Sequence, residues 1–350
     1  MTQNSIQPPL RQRAFPRHAG LAAMLVGAAF AASAHHGTST FDGDTVLTLE
    51  GVIKENNWTN PHSFIVLEVR QPDGSVLQAQ LEADGPSLLR PLGATAQSLA
   101  AGDRVVVYAS PSRQRDEHEY LAREAIKEDG TVVPLSTRYA RERAAAAPRS
   151  ASGVIGTWVP DRGALFEFVP WRGTWDLTAA GEAGMAAYDI RAANFGQAQC
   201  VPATAPTLMV YPTAKVIEDR GDHLFLNADW MGATRTIWMD GRDHPPADQV
   251  FLQGHSTGRW EGETLVIDTA NFSDNPIGNA FGVPSGSGKR IVERLSLSED
   301  RSSLRYGFEL EDPEFLAAPV SNAFVWHFRP DIEASTVACD LDAASRYLNE

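Results

Sequence analysis

The stretch SFIVLEVRQPDGSVLQAQL, Ser63–Leu81, decides the fold class of the first half of the chain. Its first part is rich in β-branched and aromatic residues, and its second part alternates apolar with polar residues. Both patterns are typical of β-strands with one buried face. Between them lies Gln71-Pro72-Asp73-Gly74, and Asp-Gly is a strong signal for a tight turn between antiparallel strands. The stretch therefore predicts a β-hairpin.

Further strand-like runs surround this hairpin. Val46–Ile53 precedes it, and Arg104–Ala109 follows the turn residues Gly102 and Asp103. Pro86–Leu92 has the composition of a short helix, and Glu128-Asp129-Gly130 marks a last hairpin. Strands with one helix between the third and the fourth suit a small OB-like barrel. We predict this barrel over residues 35–136.

The second half is also strand-rich. Residues 137–153 contain little large apolar surface and are predicted to be a linker. Residues 154–350 are predicted to form a larger, lipocalin-like antiparallel β-barrel, whose Gly156-Thr157-Trp158 resembles the opening of lipocalin-like barrels. Residues 176–193 are predicted to be helical, with Thr178 near the N-cap. The fold class is thus mainly all-β. The predicted strands are Leu224–Asp229, Arg235–Met239, Thr264–Asp268, Arg290–Leu297, Leu304–Leu310 and Phe324–Phe328.

The N-terminus has the pattern of a secretory signal peptide, predicted over residues 1–34. Arg11, Arg13 and Arg17 precede an apolar run over residues 21–31, and the small residues Ala32-Ser33-Ala34 offer a cleavage site. The apolar run is shorter than the roughly 20 residues that a membrane-spanning helix needs. We expect cleavage after Ala34 and export to a bacterial periplasm without a stable membrane anchor; the alternative is an uncleaved anchor.

Composition limits the partners. The 350 residues contain 30 Lys and Arg against 44 Asp and Glu, which gives a net charge of −14. A protein that binds the phosphate backbone needs the opposite sign, so we expect no nucleic-acid partner. The two cysteines, Cys200 and Cys339, permit one disulfide in an exported protein, the alternative being two buried thiols. The sequence leaves the oligomeric state open.

Several motifs resemble known families. His35-His36-Gly37 and WTNPH at Trp58–His62 resemble the exported domain of unknown function DUF6152, over about residues 35–136. The second half is similar to a large, mostly unnamed group of exported bacterial proteins. Its motifs here are MDGRDHP at Met239–Pro245, GHSTGRWEGETLVIDT at Gly254–Thr269, and Glu293-Arg294. Neither resemblance implies a catalytic residue.

A copper site is one functional hypothesis. Cleavage after Ala34 would make His35 the N-terminal residue, so that its α-amino nitrogen and its imidazole could chelate one metal ion. His36 and His62 add two more imidazoles. Neutral nitrogen ligands in a tetragonal plane favour Cu(II), and the arrangement resembles a histidine brace. The alternative is a disordered terminus and a structural His62.

The motifs of the second half supply candidates for acid/base chemistry. Histidine exchanges protons most readily near neutral pH, and a neighbouring carboxylate would orient and stabilise its ring. We expect Asp268, if turned into an aromatic barrel interior, to pair with Arg259 or Arg294. The alternative is structural: turn formers and ion pairs that brace the barrel ends. The catalytic candidates are His255, His244, Asp240 and Asp268. The substrate-binding candidates are Arg235, Arg242, Arg259, Trp260 and Glu293.

These features favour a periplasmic barrel protein that binds a hydrophobic small molecule in a tryptophan-rich hollow, into which a few ionisable groups project. As an enzyme it would be a lyase or isomerase that needs no cofactor, but the sequence does not decide whether it is an enzyme. The first alternative is a non-catalytic carrier of a lipid-like ligand. The second is a copper-binding protein that uses His35.

Overall fold

The computed structural model describes residues 40–113, 118–140, 149–189 and 196–346. The predicted signal peptide, His35, His36 and residues 141–148 of the expected linker lie outside these ranges. The protein is mainly β, with 44% strand and 15% helix, and a small barrel of five strands precedes a larger barrel of nine. The predicted fold class is therefore confirmed. Within the described ranges, no helix has the length and apolar character needed to span a bilayer.

The first barrel closes through one parallel pairing. Its strands follow the order β3-β2-β1-β4-β5, and β3 pairs with β5 in parallel. The turns at Gly74 and Gly130 adopt φ angles of 85° and 82°, as expected for the two predicted hairpins. The strands are β1 (Leu47–Asn57), β2 (His62–Arg70), β3 (Val76–Asp84), β4 (Arg104–Pro111), β5 (Glu119–Lys127) and the short β6 (Val132–Pro134) beside β5; helix α1 (Pro86–Leu89) continues as a 3-10 turn, Arg90–Leu92.

The second barrel contains nine strands in a closed cycle. Eight of its nine pairings are antiparallel, while β10 and β11 run parallel. The prediction of an antiparallel barrel is corrected at that pair, because the long connection between Trp238 and His255 returns the chain to the same end before the next strand begins. The strands are β7 (Gly156–Pro160), β8 (Lys215–Asp219), β9 (His223–Asn227), β10 (Thr234–Trp238), β11 (His255–Glu261), β12 (Thr264–Ala270), β15 (Arg290–Leu297), β16 (Ser303–Glu311) and β17 (Val320–Phe328).

Short helices and one hairpin pack around this barrel. The expected helix after residue 176 is present as α3 (Ala179–Ala187), and the Thr178 hydroxyl caps it by accepting from the Gly181 N–H at 3.2 Å. The sequence did not predict helix α2 (Gly163–Trp171), which packs Phe168 and Trp171 against rings of β16 and β17. The remaining elements are α4 (Thr207–Val210), the hairpin β13 (Asn275–Ala280) and β14 (Val283–Ser285), and α5 (Leu341–Ser345).

Large side chains occupy the interior of the second barrel. The rings of Tyr306 and Trp326 stack at 4.9 Å, and both residues are fully buried, as is Trp158. Beside them lies an ion pair between Arg235 and Glu293, whose side chains are 1% and 0% exposed. The sequence led us to expect a tryptophan-rich hollow with ionisable groups projecting into it; the tryptophans and the ions are present, packed against one another.

The C-terminal segment joins the two barrels. Cys200 and Cys339 form a disulfide, which confirms the predicted pairing. Beside it, the Asn60 side chain donates to the Val337 carbonyl at 2.9 Å, and the Asp340 N–H donates to the Asn60 carbonyl at 2.8 Å. The disulfide thus ties the end of the chain to the loop at Cys200, and the hydrogen bonds with Asn60 hold it against the first barrel.

Candidate functional site

Three of the four catalytic candidates meet on the outer face of the second barrel. Alternation along β11 and β12 buries Ser256 and Thr269 in the interior, so their neighbours His255 and Asp268 face outward. The connection before β11 brings His244 over the same face. The site therefore lies outside the barrel interior in which the sequence led us to expect it.

These three side chains and that of Arg290 form a continuous row of polar contacts. The Nδ1 atoms of His244 and His255 lie 2.9 Å apart, and the two rings meet at 81°. The other ring nitrogen of His244, Nε2, is buried and lies 3.6 Å from the Asp268 carboxylate. Asp268 in turn accepts a hydrogen bond from Arg290 Nε at 2.9 Å and a second one from the other arm of the same guanidinium.

Charge and burial set the protonation states. Burial lowers the pKa of His255, Coulombic repulsion by His244 and Arg242 adds to the effect, and Asp240 opposes it. Burial alone would raise the pKa of Asp268, but the Arg290 guanidinium outweighs burial and holds that pKa below its usual value. At neutral pH we therefore expect a neutral His255 and an ionised Asp268.

The ionised carboxylate selects the histidine tautomers. Beside Asp268, His244 is most stable with its proton on Nε2, so that its Nδ1 is an acceptor. His255 then donates its Nδ1 proton to His244, and its own Nε2 carries a free lone pair. Such an imidazole is oriented as a general base.

The partner of Asp268 differs from the expected ones. Arg259 and Arg294 both bind Glu261, each at 2.7 Å, whereas Arg290 holds Asp268. Asp268 pairs with Val292 in the sheet, so its two diagonal neighbours on β15 are Arg290 and Arg294. Because Arg294 binds Glu261, Arg290 is the one that binds Asp268. The expected pairing of Asp268 with Arg259 or Arg294 is therefore wrong.

The other candidates on the surface do not join the histidine pair. Asp240 binds Arg242, which lowers the pKa of Asp240 to about 2, and this carboxylate cannot accept a proton at neutral pH. The Arg242 guanidinium lies 3.7 Å from the centre of the Trp238 ring. Trp260 is 47% exposed on β11.

The remaining candidates, Arg235 and Glu293, lie in the barrel interior. Arg235 donates to both Glu293 oxygens and to the hydroxyls of Ser256 and Thr269, and Tyr306 donates to Glu293 at 2.9 Å. These contacts give the pair a packing role, and its predicted role in substrate binding stays a prediction.

The copper hypothesis rests on residues that the structure describes only in part. His35 and His36 fall outside the described ranges, and His62 Nδ1 lies 2.8 Å from Glu82. Among the described residues, no group of three or more His, Cys, Asp or Glu side chains is arranged to hold a metal ion.

Two buried lysines escaped sequence analysis. Lys215 and Lys289 lie in loop cages of oxygen atoms, where Lys289 donates to the Thr204 hydroxyl and to the carbonyls of Ala205 and Gly278. Burial lowers the pKa of each to about 7. The sequence around a lysine does not indicate whether its side chain is buried. The burial of these two depends on segments that meet only in the folded protein.

Comparison with known proteins covers only part of the chain. Residues 22–120 match the model of a family of unknown function, DUF6152. This part of the chain is similar to DUF6152. The match supports the resemblance based on His35–Gly37 and Trp58–His62, whereas that of the second half to exported bacterial proteins stays a prediction. Neither the curated proteins nor the solved structures give a match.

Proposed function

We propose that the protein transfers a proton on an apolar small molecule at the outer face of the second barrel, as a lyase or isomerase without a cofactor. The observation that supports this proposal is the hydrogen bond of 2.9 Å between the Nδ1 atoms of His244 and His255. That bond, together with Asp268, leaves the Nε2 of His255 as the basic atom.

The contacts from His255 through His244 to Asp268 indicate how the proton is transferred. His255 Nε2 takes a proton from carbon or oxygen of the substrate and becomes an imidazolium. The hydrogen bond to His244 and the negative charge of Asp268 stabilise that cation, and Arg290 keeps the carboxylate ionised. The same atom then gives the proton up, to a different atom of the product in an isomerase or to the leaving group in a lyase, and the imidazole is neutral again. A positioned base of this kind contributes about 10²–10⁴ in rate.

Apolar surface beside His255 favours an apolar substrate. Val250, Phe251 and Leu252 are 45%, 43% and 36% exposed, and the Phe251 ring centre lies 6.2 Å from that of His255. Three consecutive exposed apolar residues are uncommon on a surface without a binding role.

A chromogenic base-catalysis probe tests this proposal without knowledge of the natural substrate. 5-Nitrobenzisoxazole loses its C3 proton to a base while its N–O bond breaks, and the product is a coloured nitrophenolate. We expect the His255→Ala variant to lose about 100-fold of the protein-catalysed rate, the lower end of general-base effects. The wild-type rate should rise with pH through the lowered pKa of His255, because only the neutral imidazole accepts a proton.

His327→Ala is the matched control. His327 on β17 is an exposed histidine near a carboxylate, Asp161 at 3.4 Å, but no second imidazole of the described residues pairs with it. Its replacement should leave the rate unchanged. Equal rates for wild type and His255→Ala would contradict the proposal.

A further inference from the structure

A buried arginine without a counter-charge lies at the end of α2. Arg172 is only 6% exposed, and its Nη1 contacts the Met185 sulfur at 3.4 Å. Its Nε is buried and has no hydrogen-bond partner, and the guanidinium forms no ion pair with any Asp or Glu of the described residues. A thioether is a weak acceptor, so this cation is poorly satisfied.

A second unpartnered donor lies one turn further. The Trp175 backbone N–H donates to the Arg172 carbonyl at 3.2 Å, which places the two residues on one 3-10 turn. The indole Nε1 of Trp175 is also buried and without a partner in the described structure. Buried polar groups are normally hydrogen-bonded. Two neighbouring donors without an acceptor therefore call for a ligand that only accepts.

The surroundings of these donors are aromatic. The Trp175 ring lies 5.2 Å from Trp171 and 6.0 Å from Phe168, and Trp171 lies 6.1 Å from Phe308 on β16. Burial lowers the pKa of Arg172, although Tyr188 opposes the effect. An anionic group attached to an apolar body would match both the cation and the rings around it.

We propose that Arg172 and Trp175 bind the carboxylate of a hydrophobic carboxylic acid, whose apolar body packs against Trp171 and Phe168. The carboxylate takes the place of the Met185 thioether on the guanidinium. Met185 is only half-buried and flexible, so it can move aside. The proposal does not depend on the His255 site, because it concerns ligand binding at Arg172 and not catalysis.

Decanoate and decanol together test the proposal. They share one alkyl chain and differ in charge, and binding to the full chain is measured by calorimetry and tryptophan fluorescence. Wild type should bind decanoate more tightly than decanol. Arg172→Met should weaken decanoate binding by about 10- to 100-fold, the usual value of a hydrogen bond to a charged group, and should leave decanol binding unchanged. Arg162→Met at the other end of α2 is the matched control, since Arg162 binds the Ala140 carbonyl at 2.7 Å.

A second pair of variants keeps the test independent of any folding defect. Met185→Glu places a carboxylate beside Arg172, so it should block decanoate without lowering the melting temperature. Met185→Gln has the same size without the charge and should still bind decanoate. The proposal is overturned if wild type does not bind decanoate, if it binds decanol equally well, or if either Arg172→Met or Met185→Glu binds decanoate as tightly as wild type.

Discussion

Replacing Glu293 with alanine is expected to lower the free energy of unfolding by about 3–5 kcal/mol, the usual cost of breaking a buried ion pair. Glu293 is fully buried and accepts hydrogen bonds from Arg235 and Tyr306. Without it, the Arg235 cation stays in the barrel interior with the hydroxyls of Ser256 and Thr269 and the Met209 sulfur as its acceptors, none of which carries a charge. Urea unfolding followed by tryptophan fluorescence measures the change.

Two further variants show whether the loss of stability comes from the unpaired Arg235 cation. Glu309→Ala removes an exposed carboxylate from β16, so its free energy of unfolding should stay close to that of wild type. The double variant Arg235→Met, Glu293→Leu removes both charges, and it should be more stable than Glu293→Ala alone because no ion remains uncompensated. A Glu293→Ala protein as stable as wild type would mean that the pair is reached by solvent.

Loss of the disulfide is expected to cause the other large effect. Cys200 and Cys339 are 139 residues apart, and closing a loop of that length stabilises the native state by about 4–5 kcal/mol in the chain-entropy model. The double variant Cys200→Ser, Cys339→Ser should lose that amount in urea unfolding. The melting temperature of wild type should fall with a reductant, whereas that of the variant should not respond.

A stability that does not change when the disulfide is removed would contradict this account. The bond joins the loop after the 3-10 turn Gly196–Gln199 to the C-terminal segment, which the Asn60 contacts hold against the first barrel. If the double serine variant unfolds at the same urea concentration as wild type, those hydrogen bonds alone fix the segment.

Local patterns predicted the β-elements well. Asp73-Gly74 and Asp129-Gly130 specify tight turns by their own chemistry, and Thr178 caps α3 as its position suggested. Helix α2 escaped prediction because Gly163 begins it and Pro170 lies inside it, and both residues disfavour helices in isolation. Packing of Phe168 and Trp171 on the barrel overrides that preference.

The candidate site was only partly visible in the sequence. The motifs contained His244, His255 and Asp268, but nothing local indicates which barrel face they occupy or that Arg290 supplies the counter-charge. The register of the strands decides which side chains point outward. A shift of one residue would place Thr269 instead of Asp268 on the outer surface. The Arg235–Glu293 pair likewise depends on strands that are far apart in the chain.

Titration of the individual histidines by NMR tests the central claim most directly. In wild type, the pKa of His255 should lie below its usual value of 6.5, with the proton of the neutral ring on Nδ1. In the His244→Phe variant the acceptor for that Nδ1 proton is gone, so the neutral ring of His255 should lose its preference for the Nδ1 tautomer. A His255 that titrates at 6.5 or above in wild type, or whose neutral ring carries its proton on Nε2, would contradict the proton-transfer site.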